Sequence, residues 1–207
     1  MKTLLHIVAS PRGEASFSYR VGNAVVERFR CQHPDGKVDT LDLFAEELPR
    51  LTLNTVNNKY RLLSGKELDE ATRPAWKPIE AHIERFKAAD VVVIDSPMWN
   101  FGIPYVLKHY FDVILQPRYL FRYTANGVEG LAGDKRVVVV TARGGDYGPG
   151  SGGEAMDLVV PTLKTMLGFI GLKDPTFINI QPTLAGGPDA AQKRLDEALA
   201  TARSLTF

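Results

Sequence analysis

The sequence predicts an α/β protein: a doubly wound, five-stranded parallel sheet in the order 2-1-3-4-5, with helices on both faces. Three observations carry this. Strand-like apolar runs alternate with helical patterns along all 207 residues. Several of the runs, including Val137 to Val140, are near-continuous in β-branched residues or leucine, the pattern of strands covered on both faces. Each strand leads through a helix to the next, and right-handed crossovers leave few other arrangements.

The elements follow in order. The strand patterns fall at Thr3 to Ala9, Lys37 to Leu43, Asp90 to Ser96, Lys135 to Thr141 and Thr176 to Ile180. The first helix runs from about Ser18 to Gln32, where Val21, Ala24, Val25 and Phe29 form an apolar stripe and Pro34-Asp35-Gly36 ends it. A second ends near Ala88 and carries Ile79, Ile83 and Phe86; a third starts near Pro104 and carries Val106, Leu107, Tyr110, Phe111 and Ile114. The fourth covers Leu158 to Phe169 with Gly171 as its stop, and the last spans Asp189 to Ser204. Two stretches, Pro49 to Pro78 and Pro117 to Gly133, read as long irregular connections that carry function or contacts. Together these elements define a flavodoxin-like arrangement, expected to form one domain over residues 1 to 207.

Composition removes several classes. The formal net charge is +1 and no run of Lys or Arg long enough to cover a face is present, which argues against nucleic-acid binding. The N-terminus offers only about five apolar residues before Ser10, too few for a signal segment, and no run approaches membrane-spanning length. A cytoplasmic protein without membrane insertion is expected. Cys31 is the only cysteine, so no internal disulfide forms. His6, His33, His82 and His109 show no metal-ligand spacing, and no metal is expected. Ser10 and Ser96 lack the G-x-S-x-G elbow of hydrolases.

Three loops at strand carboxyl ends carry the chemistry. Ala9 to Ser18 lacks both the Walker lysine pattern and G-x-G-x-x-G, yet it offers the hydroxyls of Ser10, Ser16 and Ser18 beside Phe17 at a helix N-terminus, an anion pocket. Either of Ser16 and Ser18 could equally be a plain N-cap. Ser96 to Pro104 is an aromatic loop stiffened by two prolines, with Pro97, Met98, Trp99, Asn100 and Phe101 forming a shelf whose peptide N–H groups face a flat polar partner. Ala142, Arg143, Gly144 and Gly145 form the third loop, where a bare backbone approaches a ring closely. A flat amphipathic ring with a phosphate tail suits the conjunction, and flavin mononucleotide (FMN) is the candidate. Backbone donors near Asn100 and Phe101 would address one edge of the ring and those near Gly144 and Gly145 another, so no catalytic side chain is required. On this reading Asn100→Pro removes one backbone donor.

Pro-Met-Trp-Asn-Phe at 97 to 101, Phe-Arg-Tyr-Thr-Ala-Asn-Gly-Val-Glu-Gly-Leu at 121 to 131, Arg-Gly-Gly at 143 to 145 and Leu-Gly-Phe-Ile-Gly at 167 to 171 together resemble the FMN-dependent NADH azoreductase and NAD(P)H quinone reductase family. The chain departs from it at Trp99, where many relatives have Tyr, at Phe17, where some have Gln, and at Ala142, where some have Ser. The resemblance implies a homodimer that binds FMN, takes hydride from NADH or NADPH, and reduces quinones by two electrons and azo compounds to amines. It also implies a pocket cover from Phe121 and Tyr123, with Tyr119 a further candidate. Two other roles stay open at this point: an FMN-bearing regulatory subunit of a potassium efflux system, and an NADPH-dependent FMN reductase.

Overall fold

The computed structural model describes residues 1–207. Strands β1 (Thr3–Val8), β2 (Lys37–Asp42), β3 (Val91–Pro97), β6 (Arg136–Ala142) and β7 (Thr176–Ile180) form one parallel sheet in the order β2-β1-β3-β6-β7. A separate antiparallel hairpin joins β4 (Phe121–Thr124) to β5 (Gly127–Gly130). The helices are α1 (Phe17–Gln32), α2 (Leu53–Leu63), α3 (Arg73–Lys87), α4 (Tyr105–Ile114), α5 (Val159–Phe169) and α6 (Gly187–Ser204). The parallel sheet has the expected order, and its strands lie within a residue of their predicted bounds at each end.

Side chains alternate across each strand, and that alternation divides the core in two. Leu5, Ile7, Val92, Ile94, Val137 and Val139 face Trp76, Ile79, Ile83, Leu107, Phe111 and Leu163, so α3, α4 and α5 cover one face. Leu4, Val91, Val93, Val138 and Val140 face Val21, Val25, Phe29, Leu195 and Ala198, so α1 and α6 cover the other. No helix is long and apolar enough to cross a membrane.

The two stretches read as irregular are not. Residues 49 to 78 hold α2 and the first turns of α3, and residues 117 to 133 hold the β4–β5 hairpin. Pro74 and Pro78 look like helix breakers, but Pro74 sits in the first turn of α3, where its missing N–H costs nothing, and Pro78 forfeits a single bond while Trp76 and Ile79 are fully buried. The hairpin docks through its base: a Cβ on Gly130 would stand 2.1 Å from the Gly171 nitrogen, so only glycine allows these two backbones to meet.

A polar pair is buried beneath α1. His6 Nε2 lies 2.6 Å from Asp95 Oδ2, with both residues almost fully enclosed. Burial pushes the Asp95 carboxyl up from its ordinary range, opposed by the neighbouring imidazole. Gly22 of α1 makes room for the carboxylate, since a Cβ there would lie 1.8 Å from Asp95 Oδ1. At the sheet edge, Arg85 donates from Nε and Nη2 to Asp39 at 2.7 and 2.8 Å and from Nη1 to Glu46 at 2.9 Å, tying α3 to β2.

Two expectations follow from these contacts. Alanine normally stabilises a helix interior over glycine by about 1 kcal/mol, but in Gly22→Ala the overlap with Asp95 dominates. Urea unfolding should show a net loss of about 1–3 kcal/mol, and a neutral or stabilised variant would refute the close approach. Hydrogen bonding from Arg85 holds Asp39 below the usual carboxylate range. The folded state therefore binds fewer protons than the unfolded chain near pH 4, and the stabilisation is present above that value and lost as pH falls through the folded pKa. Arg85→Met should cost about 1–2 kcal/mol at pH 7, and the deficit in thermal midpoint relative to the native chain should shrink as pH drops below about 4.

Candidate functional site

Four loops meet above the carboxyl ends of β1, β3, β6 and β7, around a pocket lined by Ser10, Arg12, Ser16, Phe17, Pro97, Met98, Trp99, Ala142, Gly144, Thr183 and Leu184. This is where a doubly wound sheet places its ligand. At the first corner Ser16 has two roles: its hydroxyl caps α1 by accepting from the Tyr19 N–H at 3.5 Å, and it lines the pocket. Phe17 and Ser18 are the first two residues of α1, and their N–H groups have no protein partner. The Ser18 side chain does not reach the pocket; it is fully buried and lies 3.1 Å from Ser16 Oγ, fixing the cap from behind. Arg12 is the only ionisable residue in the lining, and its N–H donates to Ser10 Oγ at 3.5 Å. A helix N-terminus, two hydroxyls and one guanidinium form a site for an anion.

The aromatic loop folds into a two-residue reverse turn. Trp99 and Gly102 exchange N–H···O bonds of 2.9 and 3.0 Å, and Asn100 and Phe101 between them stand at φ +47° and +70°. Left-handed backbone at two successive non-glycine residues is costly and is retained where a site requires it. The turn leaves the Asn100 and Phe101 N–H groups without a protein acceptor. Neither side chain lines the pocket, so their part is played by the main chain. A proline ring cannot adopt φ +47°, so Asn100→Pro would dismantle the turn, not simply delete a donor as the sequence suggested. Trp99 is braced by Phe44 at 5.8 Å between ring centroids, while Met98 packs on the core and its N–H donates to the Ala142 carbonyl at 2.8 Å.

The glycine loop follows the same logic. Gly144 lines the pocket, and neither Gly144 nor Gly145 donates its N–H to a protein group. The Arg143 side chain turns inward and does not line the pocket. It is 1% exposed and donates from Nη1 to Thr141 Oγ1 at 2.6 Å and from Nη2 to Asp157 Oδ2 at 2.9 Å. Burial pushes the guanidinium below its usual value, against the charge of Asp157. Asp157 in turn accepts from the Val159 N–H at 2.9 Å at the start of α5. Arg143 is thus a strut beneath the loop.

Two expected cover residues lie elsewhere in this chain. Phe121 is 4% exposed and packs on Phe169 at 4.7 Å between centroids, while Tyr123 is 64% exposed on the hairpin; neither lines the pocket. Conversely, sequence reasoning missed Arg12, Thr183 and Leu184 as lining residues. The first was legible as a cation inside the anion loop. The other two follow β7, whose carboxyl end carries no glycine or aromatic signal. No cluster of three or more His, Cys, Asp or Glu that could hold a metal is present.

This fold and this pocket define a flavodoxin-like protein that grips its ligand with loops at strand carboxyl ends. Residues 2–205 match the model of a family described by the flavodoxin-like fold. An FMN-dependent NADH:quinone oxidoreductase of Nitratidesulfovibrio vulgaris is 42% identical over 207 residues, covering 100% of this chain and 99% of that protein. One from Pseudomonas syringae is 38% identical, covering 98% and 96%. Among solved structures, an FMN-dependent NADH-azoreductase from Bacillus anthracis in complex with FMN superposes with a TM-score of 0.84 at 26% identity, covering 98% of each chain. The chain belongs to the family of FMN-dependent NADH:quinone oxidoreductases and azoreductases.

Arg12 supplies the pocket's only formal charge, so it should sense the phosphate of a flavin. Fluorescence titration of Arg12→Ala should show FMN affinity reduced about tenfold, the worth of one charge-assisted hydrogen bond, with a much smaller change for riboflavin. Equal losses for both flavins would place the guanidinium away from the phosphate.

Proposed function

We propose that this chain is an FMN-dependent NADH:quinone oxidoreductase that also reduces azo compounds. The carrying observation is the left-handed turn at Asn100 and Phe101, which presents two unpaired amides beside a pocket whose other end binds anions. A ring with acceptors on its rim and a phosphate on its tail matches both ends, and the residues present fit FMN. Ser10, Ser16, Arg12 and the N–H groups of Phe17 and Ser18 would hold the phosphate, and Pro97 to Phe101 with Ala142 to Gly145 would hold the ring.

When bound, FMN supplies the redox chemistry, taking hydride from NADH and passing two electrons to a quinone or azo acceptor. The protein's own residues bind and orient. Amides held by the turn and the glycine loop need no reorganisation as charge develops on the ring, which is the economical way to stabilise it. Apart from Arg12 no lining residue is ionisable, so no acid or base in the pocket competes for protons. Trp99 and Met98 supply apolar surface that displaces water from one side of the pocket.

The functional unit on this reading is a homodimer in the cytoplasm, each copy acting as one domain. Helix α2 supports the dimer: Leu53, Val56, Tyr60 and Leu63 form an exposed apolar stripe along it, near the equally exposed Leu51. A second copy seated on this stripe would bury it.

The test is the visible spectrum of the purified protein. Oxidised flavin bands should be present, bleach on anaerobic addition of NADH, and return on addition of a quinone, with steady-state NADH oxidation in between. A colourless protein that cannot be reconstituted with FMN would overturn the proposal.

A further inference from the structure

The loop between β7 and α6 closes the pocket beside the glycine loop, at the β7 end of the sheet. Thr183 donates from its N–H and from Oγ1 to the Arg143 carbonyl, at 2.9 and 3.0 Å. The N–H groups of Leu184 and Ala185 both donate to the Gly144 carbonyl, at 3.0 and 2.9 Å. Gly187 N–H returns to the Leu184 carbonyl at 3.2 Å. The loop is therefore clasped to the glycine loop by its own backbone, and Leu184 rides on the clasp. Its side chain lies over Gly144, where a Cβ would stand 2.9 Å from Leu184 Cδ1, yet the residue is 79% exposed.

A lone exposed leucine is ordinary on a protein surface. This one lines the pocket and is held there by a backbone that cannot let it withdraw into the core. Sheet order decides which end of the pocket it borders. From β1 to β7 is three strand spacings, about 14 Å, and the anion-binding donors lie on the β1 side. Leu184 stands at the opposite end, where the ring and a molecule stacked upon it would lie.

We propose that Leu184 is a specificity-determining residue for the electron acceptor, giving apolar contact that favours hydrophobic, ring-fused quinones over small polar ones. The inference rests on the quinone reductase reading above. An apolar contact of this size discriminates by about tenfold.

The experiment compares native, Leu184→Ala and Leu184→Met holoproteins with 2-methyl-1,4-naphthoquinone and 1,4-benzoquinone. Binding of the naphthoquinone is read by equilibrium dialysis against the oxidised holoprotein without NADH, and kcat/KM is measured separately for both acceptors. In Leu184→Ala the naphthoquinone should bind about tenfold more weakly and the naphthoquinone-to-benzoquinone ratio of kcat/KM should fall by a similar factor; Leu184→Met should restore both. An unchanged ratio, or unchanged naphthoquinone binding, would overturn the inference. Leu184-dependent binding without NADH oxidation in the native protein would refute the enzyme reading, and with it a role in choosing an electron acceptor, while upholding the apolar contact itself. Turnover that ignores Leu184 would do the reverse.

Discussion

Main-chain amides that the sheet cannot use are the constraint around which this molecule is organised. A parallel ladder ends where its strands end, and every N–H beyond that point must find an acceptor in a loop, in water or in a ligand. Here the loops satisfy much of the demand from one another: Met98 donates to Ala142, Leu158 to Phe101, and Thr183 and Leu184 to Arg143 and Gly144. Among those left unpaired are the N–H groups of Asn100, Phe101, Gly144 and Gly145 and, in the first turn of α1, those of Phe17 and Ser18. A planar ligand with acceptors around its edge and an anionic tail answers that set, and a titrating side chain is not needed.

The amides are useful only if their positions are fixed, and two buried polar groups accomplish this from beneath. Arg143 bonds to β6 through Thr141 and to the start of α5 through Asp157, so the glycine loop is tethered on both sides. His6 and Asp95 occupy the space between the sheet and α1, and the notch left by Gly22 lets the helix settle onto them with its N-terminus at the pocket. Each buried charge carries a desolvation cost that its partner offsets only in part. The structure keeps them where a loop or a helix end must not move.

How much of this the sequence disclosed follows from the range of the forces involved. The parallel sheet was legible because its strands are covered on both faces and so are apolar without interruption, as at Val137 to Val140. The loops were legible because glycine, proline and paired aromatics mark local backbone requirements. Helix α2 escaped because its apolar positions, Leu53, Val56, Tyr60 and Leu63, face outward while Thr55, Asn58 and Leu62 face in, so its pattern contradicts burial within one chain. The inward turn of the Arg143 side chain was not legible, because its partner Asp157 lies fourteen residues away and becomes a neighbour only on folding. Thr183 and Leu184 were silent for the same reason: their position comes from carbonyls in the loop after β6, some forty residues earlier.

The hairpin shows a different economy. Its base is pinned where Gly130 meets Gly171 backbone to backbone, and its far end at Ala125 and Asn126 touches no core cluster. Residues can therefore be added or exchanged at that tip across descendants of this sequence while the sheet and its amide-lined crevice stay as they are. Change at the outer end of the hairpin is thereby uncoupled from the integrity of the sheet and its crevice.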